Sequence, residues 1–280
     1  MASGLLIILI NKATKLSGGL MGLSKEYIAD IKFGIETDTM DIEGSIIRNT
    51  RIGELDRNRI NKILEGFTGK LEQVPPMYSA LKHGGQPLYR LARQGIEVFR
   101  KARKINIYGI QVLEWKKDGI TVKIACSSGT YIRVLAHDIG KDYGTGAALS
   151  GLRRTRIGSM GVDRAAPIDS IAGLADIEKY LSRPGWMISL EELVKGSISL
   201  YISREYEEQV KNGSRLSRSM LADCLTERER PGENKGLMDD MAAIRSDSGK
   251  LMAIHRILTD YDKINTLDLN QFFTKSIVIL

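Results

Sequence analysis

Cysteine and histidine are scarce in this 280-residue sequence, which holds two of the first (Cys126 and Cys224) and three of the second (His83, His137 and His255). Two distant cysteines without metal-ligand spacing exclude a disulfide scaffold and point to a reducing, cytoplasmic setting. Three scattered histidines argue against a histidine-based metal centre. No glycine-rich phosphate loop of the nucleotide-binding types occurs, and no Ser/His/Asp grouping sits on a recognisable elbow. Long apolar runs are missing too. The longest, Leu5–Ile10, falls far short of the ~20 residues that span a bilayer. No Lys or Arg precedes it and Asn11-Lys12 interrupt it, so it is expected to be neither a membrane span nor a secretory signal. Glycine, at 28 residues, is too frequent for a long coiled coil.

What is present is ordinary globular composition, 42% apolar and 27% charged, with enough chain for one large domain or two small ones. Lys plus Arg number 41 against 34 for Asp plus Glu, a formal charge of +7 that favours a polyanionic partner. A merely basic surface would give the same total, but the charge is clustered. Lys82, Arg90, Arg93, Arg100, Lys101, Arg103 and Lys104 share one stretch. Arg153, Arg154 and Arg156 form a second group, and Arg215 with Arg218 a weaker third. Such clusters suit contacts to phosphates.

Periodicity predicts the elements. Leu5–Ile10, continuously apolar, reads as a buried strand. Tyr27–Phe33 alternates as a strand, and 37–44 is a polar turn. Asp56 caps a helix over 57–65. Residues 88–94 suggest a short helix closed by Gly95. A long strand over 104–115, a turn at Asp118-Gly119 and a returning strand over 120–126 make a hairpin. Ser128-Gly129 bends the chain into a helix within 130–143, and 147–153 reads as a short helix or turn. Beyond it come a strand at 198–202, a helix over 204–211, a charged surface excursion over 220–240, and late strands at 251–258 and 276–280.

The polar-aromatic segments carry the functional signal. Residues 126–140, CSSGTYIRVLAHDIG, resemble the Gly-Thr-Tyr-Ile-Arg motif of pseudouridine synthases. Residues 74–81, VPPMYSAL, are similar to a motif of the bacterial enzymes of that class that act on the tRNA T loop. Thr37-Asp38-Thr39, Asp41-Ile42-Glu43-Gly44, Ala13-Thr14-Lys15 and Leu152-Arg153-Arg154 fit the same pattern in the same order. The resemblance covers residues 1–200 densely and the rest loosely. It implies an α+β fold: a mixed, largely antiparallel sheet with flanking helices in a catalytic domain over 1–195. A small β-rich, PUA-like RNA-binding domain over 196–280 would complete it. The resemblance also implies conversion of the T-loop uridine (position 55 of tRNA) to pseudouridine by base flipping, in a monomer, without metal or cofactor.

By this resemblance Tyr27 stacks on the flipped uracil, Tyr131 lines the same pocket, and Arg133 pairs with the catalytic aspartate. Leu152 packs near the target base, Lys15 stands at the pocket entrance, Asp41 lies in a turn that approaches the RNA, and Lys82 begins the basic stretch that grips the T-stem loop. Each also has a plain structural role open to it: a packed strand tyrosine, a core residue, a surface cation or a turn-forming carboxylate. One departure is serious. The family's nucleophilic aspartate lies in a Gly-Thr-Leu-Asp-Pro segment, and Met1-Ala2-Ser3-Gly4-Leu5 match the part immediately after that proline. The nucleophile is thus expected upstream of Met1, outside the 280 residues. Asp30, Asp38, Asp41 and Asp138 do not occupy the matching position. The 280 residues are therefore expected to fold imperfectly, to leave Arg133 an unpaired, partly buried charge, and to be inactive by themselves. The alternatives are a non-catalytic tRNA-binding or remodelling protein of the same family, and a guide-dependent relative acting on ribosomal RNA.

Overall fold

The computed structural model describes residues 2–182, 186–195, 197–221, 241–258, 267–268, 270–272 and 274–280. The chain divides into two compact units, one of Met1–Leu6 with Ser24–Asp163 and another of Ile7–Leu23 with Arg164–Leu280. The expected domain boundary at 195/196 lies inside the second unit.

The first unit is built on strands β1 (Ala2–Gly4), β2 (Lys25–Phe33), β3 (Ile35–Thr37), β4 (Ile46–Asn49), β5 (Gly69–Gln73), β6 (Lys82–His83), β7 (Gln86–Pro87), β8 (Arg103–Trp115), β9 (Gly119–Cys126), β10 (Ala147–Ile157) and β11 (Met160–Gly161). Its main sheet runs β1-β10-β2-β9-β8-β5, with β11 beside β10. Only β1 on β10 is parallel; the other pairs are antiparallel. In the first unit α2 (Arg57–Gly66), α3 (Leu88–Arg93) and α4 (Ile132–Tyr143) accompany the sheet, and α1 (Ser17–Gly22) belongs to the second unit. Asp56 caps α2 as expected, its carboxylate accepting from Arg59 N at 3.0 Å. Ile132, Leu135, Ala136 and Ile139 of α4 join Ala29, Ile31, Phe33, Ile120, Val122, Ile124 and Leu149 of the sheet in one buried core. The period of 3.6 in the helix and of 2 in β2 puts these residues on facing surfaces.

Two expectations fail. Residues 147–153 are not a helix or turn but the first part of β10, an inner strand paired on both edges. Ala147, Ala148 and Leu149 are all buried, so burial on both faces erased the alternation that marks a half-exposed strand. Residues 5–10 form no strand: Leu6, Ile8 and Ile10 are 68%, 71% and 60% exposed, and the short β1 lies just ahead of them.

In the second unit β12 (Ile198–Ile202), β13 (Met241–Ser246), β14 (Leu251–Ile257) and β15 (Thr274–Ile279) form a four-stranded sheet in that order, β12 parallel to β13 and the rest antiparallel. Leu200, Ile202, Val210, Leu216, Ile244 and Ala253 fill its core. The small β-rich C-terminal region is thus present. His255 is fully buried and bonds through Nδ1 to Thr274 Oγ1 at 2.9 Å; burial pushes its pKa down to about 4, so it is neutral at physiological pH. The expected excursion over 220–240 lies outside the described residues apart from 220 and 221. Among the described residues no helix is long and apolar enough to cross a membrane.

Candidate active site at the start of α4

The segment between β9 and α4 is shaped by its own polar residues. Ser127 N donates to Asn106 O at 2.8 Å, and Ser127 Oγ accepts from Asn106 N at 2.9 Å, which fastens the end of β9 to β8. Thr130 Oγ1 donates to Ser127 O at 3.0 Å, and Gly129, with φ of +78°, makes the left-handed turn between them. Tyr131 then stands at the N-cap of α4 with no side-chain cap bond of its own. A buried glutamine holds it instead. Gln73, at the end of β5, accepts from Tyr131 N at 2.8 Å and donates to Tyr131 O at 3.1 Å. The clamp joins residues far apart in sequence and fixes where the helix begins.

Arg133 sits in the first turn of this helix. Its Nη1 lies 3.1 Å from Asp41 Oδ2, and its Nη2 donates to the Tyr78 carbonyl. The guanidinium therefore bridges the 37–44 turn and the 74–81 segment, two of the motifs singled out in the sequence. The expectation of an unpaired Arg133 is corrected by this geometry: Asp41 neutralises it. The Asp41 carboxylate is almost fully buried and well supplied with donors, because Oδ1 also accepts from Thr39 Oγ1 at 2.7 Å and from Glu43 N at 3.2 Å. A buried ion pair is tolerated only when its remaining lone pairs are met in this way.

The turn itself is stitched to the sheet. Ile42 N donates to Leu149 O at 3.0 Å and Leu149 N to Met40 O at 3.1 Å, while Thr37 Oγ1 donates to Asp41 O at 2.6 Å. Asp41 is thereby held against the beginning of β10. Further along that strand Leu152 is paired with Ala29, and Arg154 with Tyr27. Leu152 and Tyr27 both pack on the core that α4 covers, which places them on the same sheet face as that helix. Burial raises the Tyr27 hydroxyl pKa above its ordinary value, against the pull of the Arg154 guanidinium beside it. Burial also pushes the neighbouring Cys126 thiol up to about 11, so that thiol is not a nucleophile at neutral pH.

On the other edge of β10, Ala2 of β1 pairs with Leu152 and Gly4 with Arg154. The segment matched to the stretch after the family's Asp-Pro thus lies beside the strand that bears Leu152. Met1 lies outside the described residues.

Two further candidates, Lys82 and Lys15, lie on other elements. Lys82 is exposed on the β6–β7 hairpin, whose two-residue turn at Gly84-Gly85 has φ of +55° and +84°. Lys15 is exposed on a 3₁₀ turn (Asn11–Leu16) that belongs to the second unit and runs beside β15. The four aspartates weighed in the sequence are dispersed. Asp30 Oδ1 is 2.6 Å from both Lys116 Nζ and Thr121 Oγ1. Asp38 accepts from Ser45 N at 2.8 Å. Asp138 lies within α4, where burial raises its pKa. Asp41 is engaged by Arg133. Sequence reasoning missed Gln73 and the part played by the Tyr78 carbonyl, since nothing in their types or spacing announces a long-range partner.

The chain is similar to known proteins both in sequence and in fold. Residues 1–132 match the family described as TruB family pseudouridylate synthase (N terminal domain). The chain is 42% identical over 223 residues to the tRNA pseudouridine synthase B of Francisella philomiragia, covering 79% of this chain and 72% of that protein. It is 46% identical over 176 residues to the protein of the same name from Nitrosococcus oceani, covering 63% and 57% respectively. Among solved structures, a chain of a Cbf5–Nop10–Gar1 complex superposes with a TM-score of 0.68 at 20% identity, over 99% of this chain and 73% of that one. A chain of an H/ACA ribonucleoprotein bound to a substrate RNA gives 0.63 at 18% identity, over 96% and 70%. At that identity the likeness is one of fold, and the fold it shows is the mixed, mostly antiparallel sheet described above. The relatives at more than 40% identity go further, and with them the chain belongs to the TruB family of pseudouridylate synthases.

Proposed function

We propose that this chain provides the uridine-holding part of a tRNA pseudouridine synthase that isomerises the T-loop uridine at position 55. The observation that carries the reading is the Arg133–Asp41 pair. It ties three separate family motifs together at the N-terminus of one helix, beside the strands that bear Tyr27 and Leu152. In this reading the target uridine is flipped out of its loop, and stacking on Tyr27 replaces the stacking it loses. Tyr131, fixed through its backbone by Gln73, lines the pocket, and Leu152 packs near the base. A guanidinium has five N–H donors, and the bonds to Asp41 and Tyr78 fix its orientation with capacity left to orient an attacking carboxylate and keep it ionised. The curated relatives act as tRNA pseudouridine synthases by name, and the basic stretch beginning at Lys82 suits a T-stem loop gripped by its phosphates. The protein works as a monomer in the cytoplasm without metal or cofactor.

None of the four aspartates weighed for the nucleophile stands ready to attack. Asp30 and Asp41 are committed to cations, Asp38 to its turn, and Asp138 lies on the core-packed helix. A polypeptide of residues 1–280 alone is therefore expected to bind tRNA but not to turn it over. The test is tritium release from unmodified tRNA labelled at C5 of uridine. Residues 1–280 should release none, and the same chain preceded by Gly-Thr-Leu-Asp-Pro and the family's upstream segment should release tritium. Release by residues 1–280 would mean that an aspartate within them serves. Failure of the extended chain to act on the T loop would overturn the proposed activity.

A further inference from the structure

The segment that joins α3 to β8 contains the most exposed large apolar side chain among the described residues. Phe99 is 86% exposed, well above Ile96 at 46% or Tyr108 at 56% on either side. Burial alternates strictly here: Val98, Arg100 and Ala102 are half-buried, whereas Glu97, Phe99, Lys101 and Arg103 are exposed. An extended chain repeats every two residues, so Phe99, Lys101 and Arg103 share one side, spaced about 6.5–7 Å apart along it. The inward residues hold that side in place. Arg100 donates to Pro75 O at 3.4 Å and pairs with Glu97 at 2.7 Å, and Gly95, at φ of +73°, turns the chain out of α3. A phenyl ring standing in water is unfavourable by itself. It is anchored here in register with two cations rather than folded under the adjoining half-buried residues.

We propose that Phe99 is a stacking platform for an unpaired base of the RNA substrate, outside the pocket of the target uridine, with Lys101 and Arg103 on the flanking phosphates. The inference rests on the RNA-binding part of the proposed function and names a second point of contact for it. Aromatic rings interleaved with cations are how single-stranded nucleic acid is held with little sequence preference. The ring accepts any base face while the cations track the backbone. Lysine or arginine alone would hold phosphates but would not distinguish an unpaired nucleotide from a paired one. A ring at this position makes that distinction, because only an unstacked base offers it a free face.

The test compares the full chain with Phe99→Ala, Phe99→Leu and Phe99→Trp, measuring affinity for an unmodified tRNA and for a fully paired RNA hairpin stem. Loss of one stacked base should weaken tRNA binding about 5- to 100-fold in Phe99→Ala. Phe99→Leu, apolar but without a π-face, should weaken it nearly as much, and Phe99→Trp should retain it. Affinity for the paired stem and the salt slope should not move, whereas Lys101→Ala or Arg103→Ala should lower the slope. If Phe99→Ala binds tRNA like the parent while the cation variants weaken it, the stacking proposal falls and RNA binding stands. If the parent chain binds no RNA, the reading of its function falls as well. Sedimentation of parent and Phe99→Ala decides against the platform in one more way: a concentration-dependent dimer lost in the variant would make Phe99 a self-association residue.

Discussion

At the scale of single residues the site depends on one guanidinium with two acceptors. Arg133 is 22% and Asp41 9% exposed at the side chain, so neither charge is fully hydrated and neither is well served without the other. Asp41→Asn keeps the shape and removes the charge. It leaves Arg133 facing a neutral amide whose nitrogen competes as a donor. The expected loss is about 1–3 kcal/mol of stability, the worth of hydrogen bonds to charged groups in a pair whose carboxylate is buried but whose arginine still meets solvent. Arg133→Lys should lose as much, since one ammonium cannot reproduce a planar fork that meets a carboxylate and a carbonyl together. Urea unfolding of both variants and of Asp41→Asn/Arg133→Lys checks this. The double variant should lose less than the two single losses added, and strict additivity would show that the pair is not coupled. The types of these residues were legible in the sequence through their motifs, but their pairing was not. Ninety-two positions separate Asp41 from Arg133, and a turn carboxylate reads as local until the fold brings a cation to it. Gln73 was hidden for the same reason, its two bonds to Tyr131 spanning 58 positions.

At the scale of elements, the hairpin β8–β9, helix α2 with its Asp56 cap and helix α4 were readable, because period and turn chemistry agreed. The failures lie where neighbours decide. β10 has no alternation to read in its first half because it is buried among strands, and residues 5–10 are apolar without forming a strand. The contact between α4 and β10 also sets a constraint that no propensity scale contains. A Cβ on Gly140 would lie 2.1 Å from Ala147 N and 2.3 Å from Ala147 Cβ. Helix propensity alone favours Gly140→Ala by about 1 kcal/mol. Forcing a methyl against backbone costs roughly 1–3 kcal/mol and more when nothing can yield. The clash therefore wins, and Gly140→Ala should destabilise the first unit by about 1–2 kcal/mol in equilibrium unfolding. A stabilised variant would show that helix and strand separate more easily than their packing indicates. Tilting α4 would also displace Tyr131 and Arg133 at its other end, so substrate affinity should fall together with stability.

At the scale of the whole molecule the question is whether +7 is a general property or a local instrument. Composition cannot separate the two, but position can. Lys101, Arg103 and Lys104 are exposed in consecutive reach of one another beside Phe99, whereas Lys62 on α2 and Lys117 in the turn after β8 are also exposed and lie outside the basic stretch. Each phosphate neutralised contributes about 0.7–0.9 to the slope of log affinity against log salt. If binding uses the local stretch, removing three cations at once as Lys101→Ala/Arg103→Ala/Lys104→Ala should flatten that slope by about 2. Lys62→Ala/Lys117→Ala, a loss of two charges away from that stretch, should leave it nearly unchanged, because charges beyond a Debye length of ~10 Å from the phosphates are screened. Fluorescence anisotropy with labelled tRNA between low and moderate salt gives both slopes. Equal flattening by the two sets would return the charge to the general surface and deny the basic stretch any special part in how this chain meets RNA.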